Sequence, residues 1–353
     1  TFISNAITLA KIIGNFMAAG ILNRLYPKKA IGLGSGLIVL GSTLAIFAPQ
    51  YWLFILGRFI MGFGGALYVV YFSPVVIHYF ESKKRLTVNA LNGAAYNFGG
   101  IVAMVIVGPV IIWLKTWQYS MGFFAAVSAL LWPLFGQDFE LNRSTGTGQA
   151  PYTIREAMKE KINWILPFTY SGLLTFYIVM LNIFPISGVT AISSKALGTL
   201  VAIGGIIGSL LAIALGKVYF KRLPVIRYSG LAMTLFGLLM LRTDSSLLSA
   251  VAAFLIGMFM FLPVSSLMMI PQELPGMTPS KLTTIMGLFW ALSYIIETAA
   301  YFIIGFIIDR FGYGMGLNFA LIMSVTFFLG SFLLPETGKG GKSEKVNAKL
   351  KCS

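Results

Sequence analysis

Charged side chains are scarce in this sequence. They make up 10% of its 353 residues, whereas an ordinary soluble domain carries about 25%. Hydrophobic residues make up 57%. So small a charged fraction excludes a surface that faces water throughout, and the chain is predicted to lie mostly in a lipid bilayer.

Cysteine and histidine each occur once, at Cys352 and His78. So few of them exclude an intrachain disulfide framework and a Cys/His metal site. Glycine-rich runs such as 62–65 lie inside apolar segments and do not follow a strand, so they are not phosphate-binding loops. With no nucleophile–base set in the sequence either, we predict no cofactor, no metal and no enzymatic activity.

The formal net charge is +15, but its distribution argues against nucleic acid as a partner. The basic residues stand in short runs between apolar segments and do not form a stripe with interleaved aromatics. Most of the 26 basic residues fall in alternate loops. The positive-inside rule then puts residue 1 outside and the C-terminus in the cytoplasm, as expected for a multi-pass protein of the plasma membrane.

Long apolar runs predict where the chain crosses the bilayer. A spanning helix needs about 20 apolar residues, and eleven such runs are bounded by charges, Pro or Gly. They lack the alternation of barrel strands, so the fold class is all-α and polytopic. The predicted spans are 2–25, 30–48, 51–80, 87–114, 117–136, 162–185, 195–216, 224–241, 246–270, 282–308 and 313–334.

A polar stretch at 137–161 divides these spans into five and six. We therefore predict an N-terminal transmembrane half over 1–136 and a cytoplasmic linker over 137–161. A C-terminal half follows over 162–334, and then a basic cytoplasmic tail over 335–353. The lysines of the tail are expected to attract it to anionic lipid.

Two motifs resemble those of the major facilitator superfamily. The stretch 19–29 resembles the loop signature G-x-x-x-D-R-x-G-R-K, with Asn23 in place of Asp and Arg24 matching. The stretch 58–66 resembles the fourth-helix signature R-x-x-Q-G-x-G-A-A, with Met61 in place of Gln. Weaker matches are 305–312 and 335–337.

This resemblance implies twelve helices in two six-helix halves, of which we expect the first helix to be missing here. It also implies a monomer that moves a small solute by alternating access. Asn23 and Arg24 would belong to a cytoplasmic gate, and Asp309 and Arg310 are further gate candidates.

Three ionisable residues, Lys11, Arg58 and Glu297, fall inside predicted spans. A charge there costs on the order of 2.5–3.5 kcal/mol, so it indicates a function. Lys11 and Glu297 lie at matching depths of about 14–17 Å, at 1.5 Å per residue. Because the resemblance implies that their helices are neighbours, we predict an ion pair that forms and breaks during transport. Alternatively, Glu297 carries a coupled proton or has only a packing role, and the long side chain of Lys11 reaches polar headgroups or a vestibule.

Further candidates lie at helical spacing. Asn92 and Tyr96 share one span, and Tyr170 and Tyr177 are seven residues apart on another, which keeps them on one helix face. The resemblance implies that the second helix lines the cavity. Arg58 is predicted to be an anion anchor, a neighbour of a proton relay or a structural residue of the motif.

Two cations against one carboxylate favour a small organic anion that moves with a proton. Sugar uptake and drug efflux stay open as alternatives, since abundant aromatic residues suit either substrate. From another class, the chain is a non-transporting membrane receptor or scaffold built on the same fold.

Overall fold

A computed structural model describes residues 2–131 and 152–338, and this part of the chain is helical without strands, as predicted. Residues 132–151, which include the first part of the predicted linker, and residues 339–353, which are most of the predicted tail, lie outside the described residues. The helices are α1 (Phe2–Ile46), α2 (Tyr51–Tyr79), α3 (Ser82–Leu114), α4 (Trp117–Leu131), α5 (Ile154–Ala157), α6 (Ile162–Asn182), α7 (Ser194–Val218), α8 (Leu223–Arg242), α9 (Ser246–Phe261), α10 (Val264–Gln272), α11 (Pro279–Phe311) and α12 (Tyr313–Gly330).

Ten segments of the described chain are long and apolar enough to cross a membrane. Two of them, Ala6–Leu25 and Lys28–Ile46, lie within α1. A third, Ser246–Gln272, contains both α9 and α10. The predicted span 117–136 begins with the 15 residues of α4 and continues outside the described residues. The predicted polytopic membrane protein is thereby confirmed.

The turn between the first two spans is helical, where a loop was predicted at 23–29. Contacts with α2 nevertheless show that α1 reverses direction, because its first part runs parallel to α2 and its second part antiparallel. The contacting pairs are Ile7 with Gly62, Ala18 with Tyr71, Gly34 with Gly64 and Gly41 with Gly57. α1 thus supplies two antiparallel spans, as predicted.

The described chain divides into two compact units, each with residues from several parts of the sequence. The first unit comprises Thr1–Tyr79, Val105–Asn163 and Thr278–Ile295. The second unit comprises Phe80–Met104, Trp164–Met277 and Ile296–Ser353. α3 and α11 therefore each contribute to both units, and the predicted boundary between sequential halves stays a prediction.

Glycines allow α7 and α9 of the second unit to pack with their backbones in contact. A Cβ atom at Gly204 would lie too close to the Phe254 carbonyl oxygen, and one at Gly257 too close to that of Val201. Such distances leave no room for a side chain, and membrane helices commonly use small residues for close approach.

Replacing Gly257 with leucine is therefore expected to lower the free energy of unfolding by about 3 kcal/mol, since an overpacked side chain forces backbones apart. Thermal unfolding of purified protein in detergent measures the change. Gly305→Leu is the control, because nothing lies within 4 Å of a Cβ there. Equal losses in the two variants would refute the close crossing.

The linker segment before α6 is joined to the beginning of α11 within the first unit. The Lys281 ammonium donates to Glu160 at 3.2 Å and lies 4.7 Å from the centroid of the Tyr152 ring. The Thr284 hydroxyl donates to the Tyr152 carbonyl oxygen at 3.2 Å. These contacts hold the segment on α11.

A capping box begins the short helix α5 in the same segment. The backbone amide and the hydroxyl of Thr153 donate to the Glu156 carboxylate at 2.7 and 2.9 Å. The Glu156 amide donates back to the Thr153 hydroxyl at 3.3 Å. This arrangement satisfies amide groups that a helix N-terminus otherwise leaves unpaired.

The hydrogen bonds from the Thr153 backbone and then its hydroxyl hold the pKa of Glu156 below its ordinary value of 4.5. A lowered pKa in the folded state means that the stabilisation is present above pH 4.5 and is lost as the pH falls through the folded value. We expect protection of the α5 amides from hydrogen exchange to fall over this range. Glu156→Gln should show no such step, and an identical step in the variant would contradict the assignment.

Candidate functional site

A lysine and two aromatic rings form a cluster inside the first unit. The half-buried Lys11 ammonium donates to the Tyr294 hydroxyl at 3.4 Å and lies 4.8 Å from the centroid of that ring. The ring of Trp290 stacks on Tyr294 at 6.0 Å. The position of Lys11 over the ring lets the π face offset part of the cost of burying the charge. We call Lys11, Tyr294 and Trp290 the lysine–aromatic cluster.

Asn15 lies one turn after Lys11 on α1, and its side-chain amide is buried without a hydrogen-bond partner among the described residues. Only 1% of the residue is exposed, and neither amide atom has a hydrogen-bond partner in the described part of the chain. Its backbone oxygen lies 2.6 Å from where a Cβ of Gly287 would be, so α1 and α11 pack closely here. The spacing from Lys11 was a signal in the sequence that our prediction missed.

Leaving this amide unpaired in the protein costs about 1–3 kcal/mol, and leucine of similar size removes that cost. We expect Asn15→Leu to raise the free energy of unfolding by about 1 kcal/mol and to reduce transport, because a buried unpaired amide is retained for a function. Thermal unfolding and uptake are measured on the same preparation. Lower stability together with unchanged uptake would assign Asn15 to packing alone.

Arg58 lies on α2 in the first unit and is half-buried. Its Nε atom is buried and has no hydrogen-bond partner among residues 2–131 and 152–338. A guanidinium presents five donors in a planar fork that suits carboxylate or phosphate. The predicted role as an anion anchor is compatible with this free donor.

Glu297 lies on the part of α11 that belongs to the second unit, and only 5% of it is exposed. It interacts electrostatically with Tyr301, one turn further along the helix. It is the one acidic residue near the middle of a predicted span. Lys11 and Glu297 thus belong to different units, and their ion pair stays a prediction.

Three aromatic rings meet within the second unit. The Tyr177 ring contacts Phe261 edge-on at a centroid distance of 5.5 Å, and the centroid of the Tyr96 ring lies 6.4 Å from that of Tyr177. Two of the predicted site residues, Tyr96 and Tyr177, are therefore neighbours, although they are 81 residues apart in the sequence. Tyr170 is 7% exposed and packs inside the unit, and Asn92 is exposed.

Two buried polar atoms of the same unit have no hydrogen-bond partner among the described residues. The Asn97 amide donates to the Gly93 carbonyl oxygen at 2.9 Å, but its own oxygen has no partner, and neither has the Ser209 hydroxyl, among the described residues. Ser209 and Phe261 both lie within 4 Å of where a Cβ of Gly93 would be. We call Tyr96, Tyr177, Phe261, Asn97 and Ser209 the aromatic–polar cluster.

An ionic network connects the ends of α8, α10 and α12 in the second unit. Arg222 makes a two-pronged contact with Glu273, at 2.8 and 3.3 Å, and the Thr337 hydroxyl donates to Glu273 at 2.7 Å. The Glu336 carboxylate accepts the backbone amides of Arg222 and Leu223 at 2.7 and 3.0 Å, which caps α8. The weak sequence match at 335–337 thus lies in an extensive set of contacts.

The predicted gate residues lie at the surface of their units. Asn23 and Arg24 are exposed, as are Asp309 and Arg310. The Arg310 guanidinium lies 4.9 Å from the centroid of the Phe306 ring, one turn earlier. Their gate roles stay predictions.

Comparison with known families and proteins gives one match over most of the chain. The family model described as Major Facilitator Superfamily matches residues 1–296. A Campylobacter jejuni protein, Cj0987c, is 27% identical over 179 residues, which are 50% of this chain and 55% of that protein. A Mesomycoplasma hyopneumoniae protein is 20% identical over 190 residues, 47% of this chain and 39% of its own length. The chain spans about half the length of the curated relatives it matches.

Solved structures share the fold. The Escherichia coli fucose:proton symporter FucP has a TM-score of 0.75 at 18% identity, over 94% of this chain and 90% of its own. The proton:xylose symporter XylE has 0.72 at 16% identity, over 98% and 88%. The human organic anion transporter MFSD10 has 0.65 at 15% identity, over 94% and 82%.

Proposed function

Because the chain belongs to the Major Facilitator Superfamily, we propose that it is a secondary transporter that moves a small organic anion together with a proton by alternating access. In this mechanism, binding energy shifts the populations of outward-open and inward-open states around one site near the middle of the membrane. The proposal includes a monomer in the plasma membrane with a cytoplasmic C-terminus, in keeping with the distribution of basic residues.

The burial of Glu297 is the observation that supports coupling to a proton. A buried carboxylate is costly as a charge and tolerable once it is protonated or paired. Its 5% exposure and its place near the middle of a span make it the group to bind and release a proton as access alternates. Tyr301 supplies a polar neighbour one turn away.

The two cations of the first unit, Lys11 and Arg58, support an organic anion as the transported solute. Lys11 has an ammonium over the face of the Tyr294 ring, and Arg58 has a buried Nε without a partner in the described chain. A carboxylate accepts strong, charge-assisted hydrogen bonds from both groups. Asn15, one turn from Lys11, offers an amide with both atoms unused.

A neutral sugar is the second candidate, favoured by the aromatic–polar cluster. Ligand sites are mostly apolar and aromatic, with a few polar groups that fix orientation. The three rings, with the unpaired Ser209 hydroxyl close to Phe261 and the unpaired Asn97 oxygen in the same unit, suit a hydroxylated ring. The structural relatives FucP and XylE are fucose and xylose proton symporters.

The test is uptake into proteoliposomes by the full-length protein under an imposed pH gradient, with labelled carboxylates and labelled hexoses and pentoses assayed in parallel. The proposal predicts accumulation of a carboxylate that collapses when the gradient is removed. Accumulation of a sugar alone would replace the anion with the second candidate. Drug extrusion would indicate efflux, and no transport at all would favour a receptor or scaffold.

A further inference from the structure

A groove lies between the second part of α1 and α4, within the first unit. Its volume is about 450 Å³, which is within the range of about 300–1,000 Å³ for ligand sites. The α4 wall consists of small residues at helical spacing, Gly122, Ala125, Ala126 and Ala129. A Cβ at Gly122 would meet only Ile46, at 3.8 Å, so the two helices are not in tight contact here.

The α1 wall of this groove is apolar. It is formed by Val39, Thr43, Ile46 and Phe47. The Thr43 hydroxyl donates to the Val39 carbonyl oxygen at 2.9 Å, so it is already satisfied within its own helix. Such a wall suits a hydrocarbon and offers little to a polar solute.

The depth of the groove matches one leaflet of a bilayer. From Gln118 to Ala129 the α4 wall rises about 16 Å at 1.5 Å per residue. The hydrocarbon core of a membrane is about 30 Å thick, so the groove reaches from one interface to about the middle. That length is the length of an acyl chain.

Apart from the Thr43 hydroxyl, the polar side chains that line the groove lie at one of its ends. Gln118 and Tyr119 line it in the first turn of α4, and the exposed Lys115 precedes them by three residues. The exposed side chains of Trp113 and Trp117 flank that lysine. Tryptophan and tyrosine mark the level of the lipid headgroups, where a lysine and an amide attract phosphate.

From this apolar wall, this depth and this polar end, we infer that the groove binds one acyl chain of a bilayer phospholipid, whose phosphate lies beside Lys115 and Gln118. The site is separate from the lysine–aromatic cluster and does not depend on the proposed substrate. Filling the groove at Ala126 with a larger side chain displaces the lipid.

The test is photocrosslinking of the full-length protein in vesicles of phosphatidylcholine and phosphatidylglycerol that contain a phospholipid with a mid-chain diazirine. Mass spectrometry of the peptides locates the adducts. We expect adducts in 39–47 and 118–129, lost in Ala126→Phe and reduced in Lys115→Gln. Val127→Phe, on the neighbouring exposed position of the same helix, is the matched control and keeps them.

Adducts that persist unchanged in Ala126→Phe, or that occur in wild type only outside these two stretches, would overturn the inference. Elution of the wild-type protein as a dimer, without lipid adducts in these two stretches, would overturn it in favour of a dimer contact. Monodisperse elution of both phenylalanine variants establishes that each is folded, and Lys115→Gln tests the headgroup contact without altering the groove.

Discussion

Glutamine in place of Glu297 is expected to reduce solute uptake driven by a pH gradient to the level of protein-free liposomes. The change keeps the size of the side chain and removes the carboxyl that we propose as the proton-binding group, so a pH gradient should no longer drive uptake. Exchange of labelled for unlabelled solute at equal pH should persist, because exchange returns the carrier without a net proton movement. Both quantities are measured in proteoliposomes of the full-length protein.

The control for this experiment is Glu81→Gln, since Glu81 is an exposed carboxylate at the end of α2. It should keep both gradient-driven uptake and exchange. If Glu297→Gln accumulated solute as wild type does, the carboxyl would have no part in coupling. Loss of exchange as well as uptake would instead make Glu297 part of the solute site.

The second large effect is on stability. Methionine in place of Arg222 is expected to lower the free energy of unfolding by about 3 kcal/mol, the usual scale for removing one partner of a buried ion pair. The side chains of Arg222 and Glu273 are only 10% and 16% exposed, and their contact has two prongs. Without the guanidinium, Glu273 keeps the Thr337 hydroxyl and an electrostatic interaction with Arg85, but it loses both of its close hydrogen bonds from Arg222.

A double-mutant cycle tests this prediction in detergent by chemical or thermal unfolding. Arg222→Met combined with Glu273→Met should recover much of the loss, because the carboxylate that lost its hydrogen-bonded cation is gone. Lys281→Met is the matched control: that pair with Glu160 is 27% and 37% exposed, and exposed pairs contribute about 1 kcal/mol at most. Equal losses for Arg222→Met and Lys281→Met would contradict a special role for the buried pair.

The fold could be predicted from the sequence because membrane spans are encoded locally. A run of about 20 apolar residues requires no knowledge of its neighbours to be recognised as a span. The ends of the spans were predicted less well. At 23–29, three basic residues indicated a loop, whereas the backbone stays helical through the turn of α1.

The candidate site could be predicted only in part. Lys11, Arg58 and Glu297 were found because a charge within an apolar run is conspicuous. Asn15 was missed because a single amide carries no charge, and the structure alone reveals that it is buried and unpaired. Polarity along the sequence does not report whether a hydrogen-bond partner exists.

Contacts between distant segments could not be predicted. Tyr96 and Tyr177 were each selected for their own helix, but nothing in the sequence indicated that their rings meet. The amide of Arg222 and the carboxylate of Glu336 are 114 residues apart. Such pairs depend on how helices pack, and side-chain spacing along one helix contains no information about it.

The most direct test of proton coupling is the internal pH of proteoliposomes that contain the full-length protein and a trapped pH-sensitive dye, with no initial pH gradient. On addition of the transported solute outside, we expect acidification of the lumen in wild type, at a rate that follows solute uptake, and none in Glu297→Gln. Solute accumulation without any change of internal pH in wild type would contradict proton-coupled symport.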